Sequence, residues 1–204
     1  MRRSRWSGIS FAQLFVTLMM VLGCVASASA QPLADQATSF RGEWAFIGGG
    51  GRSLGRGERA GREQALSAIQ WGRVITREHA PGALKGQLEM LVEVTPLFVA
   101  FQSEQAEGAG FLPLILRWNL RERGRFHPFI ELAGGVLATN REVPEGTTRM
   151  NFVSHAGAGV RVRIAEQWRV IAGYRLQHLS NGATAARNPG FNSNVGYLGF
   201  AYRH

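Results

Sequence analysis

The stretch Gln167–Leu179, which reads QWRVIAGYRLQHL, decides the fold because its residues alternate between two chemical classes. Apolar residues occupy every second position, namely Trp168, Val170, Ala172, Tyr174 and Leu176. The positions between them are largely polar, namely Gln167, Arg169, Ile171, Gly173, Arg175 and Gln177. Successive side chains of a strand point to opposite faces, so this spacing predicts a strand with one apolar and one polar face.

Eight segments of this kind follow one another along the chain, and no strong helical period competes with them. They are Gly42–Gly49, Ile69–Thr76, Gln87–Gln102, Ala109–Leu120, His127–Thr139, Asn151–Ile164, Gln167–Leu179 and Asn194–Arg203. Two neighbouring stretches are interpreted differently. Arg62–Ala68 is expected to form one short helical turn, and the glycine run Gly48–Gly51 is expected to end a strand and begin a turn.

Two architectures produce such alternation. A soluble sandwich or a lipocalin-like binding barrel keeps the apolar face inside, whereas a membrane barrel turns it outward. A membrane strand needs about 9–11 residues, and the aromatic residues Trp118, Trp168 and Tyr202 fall near strand ends, as at a membrane interface. The sequence therefore predicts an all-β, eight-stranded antiparallel up-and-down barrel that spans a membrane.

The first thirty residues have the pattern of a secretory signal peptide. Arg2, Arg3 and Arg5 precede the mostly apolar stretch Ile9–Val25, and small residues at 28–30 precede Gln31. We expect cleavage after Ala30, a short N-terminal segment over residues 31–41 and the barrel over residues 42–204. Two alternatives are an uncleaved anchor helix and a lipoprotein signal at Gly23-Cys24, where Leu22 fits poorly.

Cleavage at this point has two consequences. The chain has one cysteine, Cys24, so the mature protein would have neither disulfides nor thiolate chemistry. No later apolar run reaches the roughly 18 residues of a membrane helix, so a membrane role must come from strands. An exported chain is also a poor candidate for binding nucleic acid.

The chain is basic, and its charge has two interpretations. The formal charge is +9 and becomes +6 without the three leader arginines; Lys85 is the single lysine. Arginine binds phosphate through two parallel hydrogen bonds, so lipopolysaccharide is one candidate partner. Alternatively, the arginines lie on turns and in a polar barrel interior. The charge alone favours this second interpretation.

His178 and Ser180 are the candidates for nucleophilic chemistry. They are two positions apart at the end of a predicted strand, on the face of Trp168 and Tyr174. Residues so spaced share one face, about 6.6 Å apart, within reach of a histidine ring. A nucleophile and a base on a lipid-facing surface would meet a substrate that lies in the membrane. A polar pair at a strand end is also common without any catalytic role.

The residues around this pair resemble the lipid A 3-O-deacylase (acyloxyacyl hydrolase) family of outer-membrane barrels. The resemblance is most specific at His178-Leu-Ser180-Asn181-Gly182, Asn188-Pro189-Gly190 and Asn192-Ser193. Upstream, it includes Gly86-Gln-Leu-Glu89, Val94-Thr-Pro96, Pro128-Phe-Ile-Glu131 and Gly134-Gly135, so it runs from about Gly72 to the end. It implies an outer-membrane barrel that hydrolyses the 3-position ester of lipid A at an outward-facing Ser/His/acid site.

Carried over by position, the resemblance makes Ser180 the nucleophile and His178 the general base. Asn188, with Asn181, is implied at the oxyanion hole. The family has a glutamate where this chain has Asn192. In a serine triad, replacing the acid by its amide costs about 10⁴ in rate. Either Asn192 orients His178 with modest activity, or another carboxylate substitutes, or the chain is non-catalytic.

The remaining ionisable residues suggest structural roles. His155 is expected inside the barrel, as is Glu131, paired with Arg117 or Arg161. His127 and His79 lie at a strand start and in a turn, and the histidine spacing suggests no metal site or cofactor.

The sequence thus predicts an outer-membrane esterase that removes an acyl chain from lipid A of lipopolysaccharide. The rivals are a non-catalytic barrel with a structural or adhesive role and a soluble periplasmic binding barrel. Whether two barrels form a homodimer is left open.

Overall fold

The computed structural model describes residues 42–54 and 62–204. The predicted signal peptide and the segment over residues 31–41 lie outside the described residues. The described chain forms eight strands: β1 Gly42–Leu54, β2 Glu63–Val74, β3 Gly86–Phe101, β4 Ala106–Leu120, β5 Phe126–Thr139, β6 Met150–Arg163, β7 Trp168–Ser180 and β8 Phe191–Arg203. Each strand pairs antiparallel with the next, and β8 pairs with β1, which closes the barrel.

The predicted number and order of strands are confirmed, but several boundaries differ. The glycine run Gly48–Gly51 lies within β1, and the stretch expected to be a helical turn lies in β2 from Glu63 onward. β8 begins at Phe191 rather than at Asn194. Pairing between strands overrides the weak strand propensity of glycine. At Gly49, an added Cβ would lie 2.8 Å from the Cβ of Tyr197, so the close approach of β1 and β8 requires a residue without a side chain.

The barrel interior is filled by charged side chains that pair with one another. Arg117 bonds Glu131 at 2.8 Å, and Arg175 bonds both Glu131 at 3.0 Å and Glu93 at 2.8 Å. Arg161 pairs with Glu43 at 2.5 Å and lies 3.3 Å from Glu89. These side chains are almost fully buried, and only a paired, hydrogen-bonded charge is tolerated in such a place.

Two aromatic rings stack with these charges, and further apolar side chains, among them Phe98 and Ile115, are also buried in the interior. The guanidinium of Arg117 lies 4.4 Å from the ring centroid of Phe129, and that of Arg175 lies 4.6 Å from the centroid of Tyr197. A cation over the face of an aromatic ring is attracted by the quadrupole of that ring. Glycine makes room for these rings: a Cβ on Gly159 would lie 2.5 Å from Phe129. The arrangement explains why glycine recurs on the polar face of the strands.

The outer wall is apolar. Phe46, Ile130, Leu198 and Phe200 are all more than half exposed, at 58%, 51%, 65% and 56%. A soluble barrel would reverse this arrangement, so the rival with apolar residues inside is wrong. Among the described residues, no helix is long and apolar enough to cross a membrane. The fold is that of an outer-membrane β-barrel, with a polar interior and a lipid-facing apolar band.

The barrel has two rims that we name for later use. The terminal rim contains the start of β1, the end of β8 and the connections 75–85, 121–125 and 164–167. The site rim contains the connections 102–105, 140–149 and 181–190. Both chain ends of the barrel lie at the terminal rim because the number of strands is even. We assign the terminal rim to the periplasm, from which such a barrel is inserted, and the site rim to the outer surface.

Candidate active site on the outer wall

His178 and Ser180 lie at the end of β7, at the site rim, and both side chains point outward. Leu179 between them is fully buried and points into the barrel, as strand alternation requires. On β6, their cross-strand partners are Ser154 and Phe152. The predicted orientation of this pair toward the lipid side therefore agrees with the structure.

Asn192 is the cross-strand partner of His178 on β8. Nδ1 of His178 lies 2.8 Å from Oδ1 of Asn192. An amide oxygen only accepts hydrogen bonds, so the ring carries its proton on Nδ1 in this arrangement. Nε2 is then the unprotonated nitrogen, and this is the tautomer a general base needs.

The connection 181–190 is held in shape by Asn181. Its side chain is buried; Nδ2 donates to the carbonyl of Arg187 at 2.8 Å, and Oδ1 accepts from the N–H of Ala183 at 3.0 Å. Its backbone N–H donates to Oδ1 of Asn188 at 3.2 Å. Asn181 therefore shapes the loop with its own amide, and Asn188 is better placed to donate a hydrogen bond to a substrate.

Asn188 is exposed at the site rim, and its two amide atoms can have different tasks. Its Oδ1 accepts the backbone bond from Asn181, which fixes the plane of the amide. The Nδ2 group of the same amide then points away from this bond. A fixed N–H donor beside a nucleophile is the element that stabilises a developing oxyanion.

Gly190 links the loop to the catalytic candidates. It has a positive φ of 48°, a conformation that favours glycine. A Cβ there would lie 3.3 Å from Cε1 of His178 and 3.5 Å from Cβ of Ser180. The sequence pattern Asn188-Pro189-Gly190 contained this residue, but only the structure shows that it packs against both candidates.

Below the site, the outer wall has a shallow apolar depression on β1 and β8. Gly50 pairs with Gly196, and Gly48 with Leu198. These three glycines face outward, and a Cβ on Gly48 or Gly196 would meet no atom within 4 Å. The wall is therefore flat next to the protruding Leu198 and Phe200. Beside these glycines, the hydroxyl of Tyr174 donates to Oδ1 of Asn194. The sequence did not predict this polar contact.

The other ionisable candidates lie away from this site. Glu131 was predicted to pair with Arg117 or Arg161, and it pairs with Arg117. Arg161 pairs with Glu43 and Glu89. His155 lies inside, with Nε2 3.5 Å from Glu131. His127 and His79 lie at the terminal rim. In the part of the chain that the structure describes, no three His, Cys, Asp or Glu side chains are grouped so as to hold a metal ion.

Comparison with known proteins identifies the family. A sequence model described as "Lipid A 3-O-deacylase (PagL)" matches residues 46–201. This chain belongs to the lipid A 3-O-deacylase family. The match covers six of the eight strands in full, most of β1 and β8, and the candidate site between His178 and Asn192.

Solved structures show the same fold. The crystal structure of the outer membrane enzyme PagL superposes with a TM-score of 0.61 at 16% identity, covering 76% of this chain and 97% of that one. Neisserial surface protein A gives 0.53 at 12%, covering 81% and 96%. The attachment invasion locus protein of Yersinia pestis gives 0.51 at 11%, covering 80% and 99%. No curated protein matches the sequence. This family member is thus an outer-membrane barrel.

Proposed function

We propose that this barrel is an esterase of the outer membrane that removes the acyl chain at the 3 position of lipid A. The observation that carries the proposal is the His178–Asn192 pair beside Ser180, on a lipid-facing wall. A serine and a histidine with its proton on Nδ1 supply a nucleophile and a base on that face. They meet a substrate whose ester groups lie at the membrane surface and whose acyl chains lie against the wall.

In the proposed first step, Oγ of Ser180 attacks the ester carbonyl carbon while Nε2 of His178 takes the hydroxyl proton. The carbonyl oxygen becomes negative, and Nδ2 of Asn188 donates a hydrogen bond to it. The bond from the carbonyl carbon to the sugar oxygen then breaks. His178 returns its proton to that oxygen, which leaves the 3-hydroxyl on the sugar and the acyl group on Ser180.

In the second step, water replaces the sugar. His178 takes a proton from the water as it attacks the acyl-serine, and Ser180 leaves with that proton. A free fatty acid is released and the enzyme is restored. Lipid A and water are thereby converted to the 3-deacylated lipid and a fatty acid, without a metal or a cofactor.

Asn192 holds His178 in the tautomer that both steps need. It replaces the carboxylate of the usual triad, so it orients the ring but supplies less stabilisation to the imidazolium. The activity of this chain is therefore expected to be modest. The depression at Gly48, Gly50 and Gly196 supports a substrate with long acyl chains, since it lies on the same wall, below the site.

The test is mass spectrometry of lipid A from cells that express the protein. Wild type should convert part of the lipid A to a species that lacks one 3-linked acyl chain, and Ser180→Ala should not. Both proteins must show the same heat-dependent gel mobility, which reports a folded barrel. Identical lipid A with wild type and variant would favour the non-catalytic barrel with a structural or adhesive role.

A further inference from the structure

A belt of aromatic side chains marks the membrane interface at the terminal rim. Trp71, Trp44, Tyr202 and Trp168 occupy paired positions on the adjacent strands β2, β1, β8 and β7. Ring centroids are 6.4 Å apart for Trp44–Trp71 and 5.1 Å for Trp168–Tyr202. Tryptophan and tyrosine prefer the headgroup level of a bilayer. Residues just beyond this belt therefore lie at the phosphates of the periplasmic leaflet.

The two rims differ in charge. The outward or solvent-facing cations described at the terminal rim number seven: Arg73, Arg77, Lys85, Arg121, Arg123, Arg125 and Arg163. The acids there number three, Glu78, Glu122 and Glu166, so the excess is seven minus three, or +4. The described site rim has five of each sign: Arg52, Arg62, Arg141, Arg149 and Arg187 against Glu63, Glu104, Glu107, Glu142 and Glu145.

This distribution changes the interpretation of the basic composition. Among the described residues, the surface that meets lipopolysaccharide is balanced in charge, and their excess positive charge lies on the opposite rim. Charge alone therefore does not link the arginines to the lipid A phosphates. Another anionic partner must be sought at the periplasmic side.

The excess charge surrounds an open cleft of about 510 Å³ between the connections 121–125 and 164–167. Arg125, Arg163, Ile164, Ala165 and Glu166 line it. Arg163 bonds the carbonyl of Gly124 at 3.3 Å and lies 3.4 Å from Glu122. The carboxylates of Glu122 and Glu166 thus offset part of the local positive charge. Arg121 and Arg123, on the connection 121–125, keep the net charge around the cleft positive.

The cleft combines the two chemistries of a phospholipid. Guanidinium groups bind phosphate oxygens in pairs. Phe126 and Trp168 are exposed at 51% and 47% on the outer wall beside the cleft, and Ile164, exposed at 57%, is an apolar part of its lining. An anionic headgroup with attached acyl chains fits this order of polar and apolar groups better than a soluble anion does.

We propose that the terminal rim, centred on this cleft, binds the phosphate headgroups of anionic glycerophospholipids in the periplasmic leaflet. The interaction is separate from hydrolysis, since the candidate active site lies at the other rim. It would fix the height of the barrel in the bilayer. Each arginine near an anionic surface adds to the attraction, and salt weakens it.

Native mass spectrometry of the folded barrel in detergent tests this proposal, with equimolar phosphatidylglycerol and phosphatidylcholine as probes. Wild type should retain phosphatidylglycerol preferentially. The triple variant Arg121→Gln/Arg123→Gln/Arg125→Gln should lower that preference by roughly tenfold or more. The matched control is Arg141→Gln/Arg149→Gln/Arg187→Gln at the site rim, which removes the same charge and should keep the preference.

Gel mobility before and after heating verifies that every variant is a folded barrel. Equal loss in both triple variants would mean that only net charge matters and would overturn the proposal. Equal retention of the two lipids by wild type would overturn it as well. Neither outcome depends on whether the barrel hydrolyses lipid A.

Discussion

Nδ1 of His178 lies 2.8 Å from Oδ1 of Asn192, across the pairing of β7 and β8 on the outer wall. The contact places an amide where a serine hydrolase usually has a carboxylate. It selects the tautomer of His178 with Nε2 unprotonated. It does not supply the negative charge that would stabilise the imidazolium in the transition state.

The first prediction concerns that missing charge. Asn192→Glu should raise kcat for lipid A deacylation by at least about tenfold, because a carboxylate stabilises the protonated His178. Asn192→Ala should lower kcat, since the ring loses its orienting partner. Kinetics in mixed micelles would measure both. If neither change alters kcat, Asn192 does not act through His178.

The second prediction separates two roles of Asn188. Asn188→Asp keeps an oxygen that accepts the N–H of Asn181 but removes the Nδ2 donor. If Asn188 stabilises the oxyanion, kcat should fall by about 10²- to 10³-fold while KM changes little. Full activity in this variant would limit Asn188 to holding the loop.

The third prediction concerns the depression on the wall. Gly196→Leu would fill the outward space in which a Cβ at Gly196 meets no atom within 4 Å. Because acyl chains would be excluded from the wall, kcat/KM for lipid A should fall several-fold. Hydrolysis of a short-chain soluble ester should remain unchanged. Ala158→Leu, an exposed position on β6, is the control; an equal loss there would mean that the depression has no special role.

The fourth prediction concerns stability. Glu131 accepts bonds from Arg117, Arg175 and Tyr197. Glu131→Gln therefore removes the ion-pair partner of the buried Arg117 and leaves Arg175 with Glu93 alone. The free energy of unfolding should fall by about 3–5 kcal/mol. Urea titration of the barrel in lipid vesicles measures it. Glu104→Gln, which removes an exposed ion pair with Arg141, should change the free energy by less than about 1 kcal/mol. Similar values for both would contradict the interior network.

Alternation predicted the eight strands and the direction of each face because both depend on neighbouring residues. The length of β1 was not predictable in this way. Gly48–Gly51 has low strand propensity, and only its pairing with β2 and β8 extends the strand. The partners of Arg161 depend likewise on which strands meet across the barrel interior.

The candidate site was partly predictable. His178 and Ser180 lie close in sequence, so strand geometry placed them on one face. The contact between His178 and Asn192 spans two strands and followed only from family resemblance. The buried amide of Asn181 and the packing of Gly190 depend on the conformation of the loop. The charge excess at the terminal rim required the topology, since its basic residues come from two connections and from the ends of β2 and β6.

The central claim is that Ser180 on the outer wall cleaves the 3-linked acyl ester. The most direct measurement is mass spectrometry of defined lipid A after incubation in EDTA-containing micelles with the purified, folded barrel. Wild type and Asn192→Glu should release the 3-linked fatty acid, with Asn192→Glu faster, and Ser180→Ala should release none. Equal release by Ser180→Ala, or no release by either wild type or Asn192→Glu, would contradict the account.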